Sequence, residues 1–173
     1  MGCTVESLRG RTLMKIILFV CTGNSCRSPI ARGIASARLP ARWRDKVAFA
    51  SAGTSAYDGM RAAENAVLVL KEIGIDISRH RARLLTPEMV KDSALVVAMA
   101  RRHKEEVLRI APGSEGKVIV LGDLDAKRKN PDIEDPVGGD EAVYRRTRDE
   151  IAGLVSLLFD DLDFRHSAIF SPK

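Results

Sequence analysis

Cys21 and Arg27 bracket the segment Cys21-Thr22-Gly23-Asn24-Ser25-Cys26-Arg27, with five residues between the thiol and the guanidinium. A loop of this length between a strand and a helix can point successive backbone N–H groups inward, which forms a nest for a tetrahedral oxyanion. Arg27 would add a planar, two-pronged donor for two phosphate oxygens. The positive potential of such a loop favours a thiolate, so Cys21 is a candidate nucleophile. Gly23 permits the tight turn, and Ser28 can donate its hydroxyl to the sulfur.

The spacing alone is weak evidence, because short motifs of this kind also arise by chance. The alternative interpretation is a buried cysteine at a strand end beside a surface arginine. The flanking residues favour catalysis: an apolar run from Lys15 to Cys21 predicts a buried strand, and Pro29 suits the first turn of a helix.

The rest of the chain alternates short apolar runs with amphipathic segments. Strands are predicted at residues 15–21, 47–51, 95–99 and 117–121, and helices at residues 28–38, 61–73, from Thr86-Pro87 onward, 101–110 and 140–162. This order predicts an α/β, single-domain, Rossmann-like fold with a parallel four-stranded sheet and helices on both faces. Ligands of such sheets bind beyond the carboxyl ends of the strands, where Cys21 lies.

Length and composition limit the domain organisation, the cellular location and the kinds of binding partner. The chain has 173 residues, and we expect one domain over residues 14–162, a disordered N-terminal extension over 1–13 and a poorly ordered tail over 163–173. Three cysteines and no signal sequence or membrane-length apolar run favour the cytoplasm, without a membrane. The net charge of +5 suits an anionic substrate, but its spread along the chain gives no support for nucleic-acid binding. No histidine pair has the spacing of metal ligands.

Four segments resemble the low-molecular-weight protein tyrosine phosphatases, in the same order. They are FVCTGNSCRSPIA at residues 19–31, SAGTSAY at 51–57, GIDISRHRAR at 74–83 and IEDP at 133–136. The resemblance extends from Lys15 to about Leu158. It implies hydrolysis of protein phosphotyrosine through a cysteinyl-phosphate intermediate, by a monomer or weak dimer. Neither a metal nor another cofactor is implied, and inorganic phosphate or a similar oxyanion would be product or inhibitor.

The resemblance also implies roles for individual residues. Asp135 would protonate the leaving group and then activate water. The loop residues Thr22, Gly23, Asn24, Ser25 and Cys26 would bind phosphate, with Asn24 in a left-handed conformation. Ser28, Ser51 and His80 would hydrogen-bond the side chain of Asn24. A buried small residue is the ordinary interpretation of Cys26, and we also hypothesise that it traps oxidised Cys21 in a reversible disulfide.

The residues expected to line the substrate slot do not decide between two substrates, phosphotyrosine and phosphoarginine. Many tyrosine-specific members have an aromatic residue after Asp-Pro, whereas this chain has Val137. Ser25 stands where they often have Ile or Leu, and it resembles a bacterial branch that acts on protein phosphoarginine. Tyr57 could still offer a ring face to either substrate. Phosphotyrosine and phosphoarginine therefore both remain candidates.

Two further alternatives belong to functional classes other than the phosphatases. Thioredoxin-linked arsenate reductases have a nearly identical loop, but they use additional cysteines downstream, and this chain has none after Cys26. A binding module without turnover is disfavoured because a nucleophile, an arginine and an acid are all present.

Overall fold

The computed structural model describes residues 14–164, so the predictions for residues 1–13 and most of the predicted tail lie outside the described residues. The strands are β1 (Lys15–Cys21), β2 (Val47–Gly53), β3 (Ser93–Ala98) and β4 (Val118–Val120). The helices are α1 (Arg27–Ala37), α2 (Glu64–Lys71), α3 (Pro87–Asp92), α4 (Arg101–Ile110) and α5 (Glu141–Phe164). Short 3₁₀ turns occupy Ala41–Trp43, Glu115–Lys117 and Leu121–Leu124.

The four strands form one parallel sheet in the order β2-β1-β3-β4. This arrangement confirms the predicted fold class. β1 lies in the interior of the sheet because its residues are apolar on both faces, as parallel strands covered by helices require. No helix within residues 14–164 combines the length and apolarity needed to cross a bilayer.

Successive residues of β1 enter two different hydrophobic clusters. Ile17 and Phe19 pack into the larger cluster, which includes residues of α1, α2 and α5. Leu18 and Val20 point to the opposite face and join residues of α3 and α4. Burying one such side chain contributes roughly 1.5–3 kcal/mol, so the strand before the phosphate loop is firmly held on both sides.

The structure differs from the sequence prediction at the boundaries of several elements. α2 was predicted over residues 61–73 but begins at Glu64, because Arg61 forms an antiparallel bridge with Arg81 and is extended there. β4 ends at Val120 because the chain enters a 3₁₀ turn at Leu121. The final helix continues through Phe164, two residues beyond the predicted end of the domain.

The carboxyl edge of the sheet holds the chain segments that form the site. Cys21 at the end of β1 lies level with Gly53 at the end of β2. The backbone N–H of Met99 donates to the carbonyl of Val20, and the N–H of Ile133 donates to the carbonyl of Met99, both at 2.9 Å. The loop that contains Asp135 is thereby attached to the sheet through β3.

Gly122 allows this loop to pass close to the end of β4. A Cβ atom at Gly122 would lie 2.0 Å from the carbonyl oxygen of Pro131. We therefore expect Gly122→Ala to lower the free energy of unfolding by about 2–3 kcal/mol, because backbone must move to make room. Urea denaturation measures the change. Gly116→Ala is the control, since no atom lies within 4 Å of its Cβ position. Equal stability of the two variants would contradict this prediction.

Candidate active site

The phosphate loop connects β1 to α1 and depends on Asn24. Asn24 has φ +52° and is the one non-glycine residue with positive φ within residues 14–164. Its side chain donates to the hydroxyl of Ser28 at 2.8 Å and accepts from the backbone N–H of Arg83 at 2.9 Å. The carbonyl of Asn24 accepts from Nε2 of His80 at 2.7 Å. These three contacts hold a backbone conformation that L-residues disfavour.

The end of β2 supports the loop from the side. The N–H of Thr54 donates to the carbonyl of Cys21 at 2.9 Å, and the N–H of Ser55 donates to the carbonyl of Thr22 at 3.0 Å. Gly53 has no room for a side chain, since a Cβ there would lie 2.4 Å from the carbonyl oxygen of Thr22. Glycine at this position lets the two backbones approach.

The Cys21 thiol is buried and lies beside the Ser28 hydroxyl. Cys21 is 2% exposed, and its Sγ is 3.0 Å from Oγ of Ser28. Because Asn24 already donates to Ser28, the single hydroxyl proton remains available to the sulfur or to the carbonyl of Ala52, which is 3.5 Å away. The sulfur is the nearer acceptor, so the geometry suits a hydrogen bond that stabilises a thiolate.

Arg27 is fully buried, and its guanidinium points at the loop that contains Asp135, which we call the acid loop. Its Nη1 donates to the carbonyl of Ile133 at 2.9 Å, and its Nη2 lies 2.5 Å from Oδ2 of Asp135. Arg102, on the first turn of α4, approaches the same carboxylate oxygen at 3.7 Å. Asp135 is one-third exposed and therefore lies between a buried cation and a solvated one.

These groups surround a cavity of about 270 Å³. Its walls come from the phosphate loop and the acid loop, and they consist of Cys21, Thr22, Gly23, Ser25, Cys26, Arg27, Asp135 and Val137. A nucleophile, a buried arginine and a carboxylate thus face one space. Within the described part of the chain, no group of three or more His, Cys, Asp or Glu side chains could hold a metal ion.

A family model described as low molecular weight phosphotyrosine protein phosphatase matches residues 16–167. The chain belongs to this family. It is therefore a phosphatase, which is a hydrolase. Cys21 and Arg27 line the cavity described above.

Known relatives of this phosphatase include proteins named for two different substrates. A protein-arginine-phosphatase of Geobacillus stearothermophilus is 38% identical over 146 residues, which cover 84% of this chain and 95% of the relative. A probable low molecular weight protein-tyrosine-phosphatase, EpsP, of Ralstonia solanacearum is 39% identical over 124 residues, 72% of this chain and 79% of the relative. The crystal structure of a low molecular weight protein tyrosine phosphatase from T. tengcongensis superposes with a TM-score of 0.79 at 42% identity, covering 86% of this chain and 99% of that one.

Three of the predicted contacts around Asn24 can be compared with the structure, and two differ. Ser28 bonds the Asn24 side chain as expected, whereas His80 bonds the backbone carbonyl instead. Ser51 makes no hydrogen bond to Asn24, since its buried hydroxyl has no hydrogen-bond partner among the described residues. The reason is its place on β2: it lies two residues before Gly53, which is the residue level with Cys21.

The two residues predicted for the substrate slot are placed differently. Val137 lines the cavity and remains 68% exposed. Tyr57 is 78% exposed and does not contribute to the cavity wall. Any contact between Tyr57 and a substrate would therefore lie outside the cavity.

Sequence reasoning missed His103, which contacts the phosphate loop directly. The imidazole is buried, and its Nε2 lies 2.9 Å from Oγ1 of Thr22. Burial, with the nearby charges of Arg27 and Arg102, lowers the pKa of His103 to about 4. A weak signal was available, since His103 precedes Val107 by four residues and so shares the buried face of α4.

Cys26 is held by an aromatic hydroxyl that the sequence did not predict either. Its Sγ lies 3.2 Å from the Tyr144 hydroxyl on α5, and burial raises the pKa of the thiol. Burial raises the pKa of Tyr144 as well. Cys26 is therefore a neutral, packed thiol, and its role in trapping oxidised Cys21 stays a prediction.

The lowered pKa of His103 makes a testable contribution to stability. An unfolded histidine takes up a proton near pH 6.5, whereas folded His103 does so only near pH 4. The contribution of neutral His103 to the free energy of unfolding is therefore fully present above about pH 6.5 and is lost as the pH drops toward 4. His103→Gln keeps a polar partner for Thr22 but does not titrate. We expect the parent to lose about 2 kcal/mol more than this variant between pH 7 and pH 4.5, measured by urea denaturation. Parallel losses in the two proteins would contradict the assignment.

Proposed function

We propose that this chain hydrolyses phosphotyrosine in proteins through a covalent cysteinyl-phosphate intermediate. One observation supports the proposal above all others: the Cys21 thiol, the buried Arg27 guanidinium and the Asp135 carboxyl face a single cavity of about 270 Å³. Membership of the phosphotyrosine phosphatase family supports the choice of substrate. The cytoplasmic location and the monomeric or weakly dimeric state stay predictions.

In the first chemical step, the Cys21 sulfur attacks phosphorus while the Arg27 guanidinium and the loop N–H groups bind the non-bridging oxygens. The bond from phosphorus to the tyrosine oxygen breaks, and Asp135 gives its proton to that oxygen. Ser28 donates its hydroxyl to the thiolate before the attack and so keeps the sulfur ionised.

In the second step, Asp135 accepts a proton from a water molecule that attacks the phosphocysteine. The bond from sulfur to phosphorus breaks, the thiolate of Cys21 returns and inorganic phosphate leaves. The present contact between Arg27 and Asp135 must loosen during the cycle, because the guanidinium is needed by the phosphate and the carboxyl by the leaving group. Arg102 at 3.7 Å offers the carboxylate a second cationic neighbour.

Phosphoarginine is a second candidate substrate, with the same mechanism and a nitrogen leaving group. Two features of the cavity wall favour it: the hydroxyl of Ser25 could accept a hydrogen bond from a guanidinium, and Val137 supplies no aromatic ring. Tyr57 does not supply one within the cavity either. The relative named protein-arginine-phosphatase is similar over most of its length, which supports the same possibility.

The decisive experiment measures release of inorganic phosphate from matched phosphotyrosine and phosphoarginine peptides. We expect the parent to act on at least one of them and Cys21→Ser to act on neither, because Cys21 is the thiol that has the Ser28 hydroxyl beside it, whereas the other cavity thiol, Cys26, is neutral and packed against Tyr144. Phosphate release that persists in Cys21→Ser would contradict the mechanism. Reduction of arsenate at the expense of a thiol, without any phosphate release, would replace the phosphatase with the reductase.

Ser25→Ile tests the selectivity of the cavity wall in the same assay. An aliphatic side chain cannot hydrogen-bond a guanidinium but can pack against a phenyl ring. We expect the ratio of kcat/KM for phosphoarginine over phosphotyrosine to fall at least about tenfold, the smallest effect usual for loss of a hydrogen bond to a substrate. An unchanged ratio would remove Ser25 from the specificity of the enzyme.

Asp135→Asn tests the general acid. The amide cannot transfer a proton, so we expect kcat to fall by about 10²–10⁴ while the phosphate-binding loop remains intact. Glu134→Gln is the matched control, because this neighbouring carboxylate is exposed and does not line the cavity. Similar losses in the two variants would show a general effect of loop charge rather than proton transfer.

A further inference from the structure

A second concave surface adjoins the catalytic cavity. It encloses about 710 Å³ and is lined mainly by the chain from Met60 to Lys71. We refer to it as the flanking groove; its walls are Ser25, Met60, Arg61, Ala62, Ala63, Glu64, Val67, Leu68, Lys71 and Ser78. Ser25 lines both this groove and the catalytic cavity. The two spaces therefore meet at Ser25.

The position of the groove relative to the reacting groups is fixed by hydrogen bonds. The N–H of Ala63, immediately before α2, donates to the carbonyl of Ser25 at 2.9 Å. Two residues later, the side chain of Asn65 donates to the carbonyl of Gly139 at 3.2 Å, in the loop that follows Asp135. Helix α2 is thus attached to the phosphate loop and the acid loop together, and anything bound along it has a set distance from Cys21.

The groove is mainly apolar although it is open to solvent. Met60 is 52% exposed and Leu68 is 40% exposed, and both line it, with Val67 half-buried between α2 and the surface. Single exposed apolar residues need no explanation, but several that line one concavity mark a binding surface. The same face of α2 could otherwise have carried polar residues at no expense to the core, which Ala66, Val69 and Leu70 fill.

A substrate protein must cross this region. The catalytic cavity, at about 270 Å³, admits one phosphorylated side chain, so the polypeptide on either side of that residue has to continue over the surrounding surface. An extended chain advances roughly 3.3 Å per residue, and its side chains alternate in direction. A residue one or two positions from the phosphorylated one therefore reaches a space that begins on the far side of Ser25.

We propose that the flanking groove binds an apolar side chain of the phosphorylated protein, one or two residues from the phosphorylated residue. The inference rests on the proposed function and adds a preference for the sequence around the phosphorylated site. Its occupant is an aliphatic or aromatic side chain, because Met60, Val67 and Leu68 offer apolar contact. The charged side chains of Arg61, Glu64 and Lys71 lie at the same groove and suit the solvated backbone and polar neighbours of such a residue.

The test uses a set of short peptides that carry the better phosphorylated residue, with Leu or Ser at each position from two before it to two after it. We expect kcat/KM to favour Leu over Ser about tenfold at one of these positions, as burial of a single aliphatic side chain gives. In Leu68→Ser and in the Met60→Ser, Leu68→Ser double variant, this ratio should fall toward one. Turnover of para-nitrophenyl phosphate, which has no flanking residues, should stay at the parent level.

Ile73→Ser is the matched control. Ile73 is 39% exposed, close to the value for Leu68, and lies just after the same helix but outside the groove. It should keep the tenfold preference of the parent. Loss of the preference in all three variants would indicate a general effect on α2 and overturn the assignment to the groove.

The outcomes separate this inference from the proposed function. Equal rates for Leu and Ser peptides at every position, with normal turnover of para-nitrophenyl phosphate, would overturn the groove and leave the phosphatase in place. If Leu68→Ser instead converts a dimer to a monomer in sedimentation and no peptide preference exists, the groove is a contact between copies of the chain. Absence of any Cys21-dependent phosphate release would remove the function and the groove together.

Discussion

The left-handed backbone at Asn24 is the constraint on which the active site depends. A non-glycine residue at φ +52° is disfavoured, and it persists because the side chain and carbonyl of Asn24 are bonded to Ser28, Arg83 and His80. A carbonyl can only accept, so Nε2 of His80 must bear a proton. Burial lowers the pKa of His80, which keeps the ring neutral near pH 7 with that single N–H directed at the loop. The shape of the phosphate site is therefore maintained by uncharged donors that add no net charge to it.

The charges of the site are concentrated instead on Arg27 and its partners. A buried guanidinium must be neutralised or bound, and here the carbonyl of Ile133 and the carboxylate of Asp135 serve that purpose. The partners come from the loop that is attached to the sheet through Met99, so sheet, arginine and acid form one connected unit. In the proposed mechanism, a phosphate that binds Arg27 would replace one anionic partner with another, and the carboxyl of Asp135 would be released beside the leaving group. The same buried charge would thus organise both the resting site and the reacting one.

Much of this arrangement could be predicted from the sequence, and the rest could not for identifiable reasons. The four strands and the loop from Cys21 to Arg27 follow from local patterns: apolar runs, glycine and a helix-starting proline. The start of α2 does not, because long-range contacts set it: the bridge between Arg61 and Arg81, and the hydrogen bond from Ala63 to Ser25. His103 was missed because its neighbours in Arg101-Arg102-His103-Lys104 are all basic and read as a solvated helix face. The hydrogen bond predicted between Ser51 and Asn24 is absent, because a resemblance identifies a residue but not its position along the strand relative to the phosphate loop.

Ser25 connects these parts more closely than its size suggests. Its side chain lies on the wall of the catalytic cavity and on that of the flanking groove, and its carbonyl receives the N–H that fixes the start of α2. A larger residue at this position would change the shape of both spaces, while the backbone bond to Ala63 would remain. If both proposals hold, the leaving group and the sequence around it are read on opposite sides of one residue. A substitution of Ser25 that changes the preferred substrate need not disturb Cys21 or Arg27. Neither residue depends on the Ser25 side chain for its hydrogen bonds.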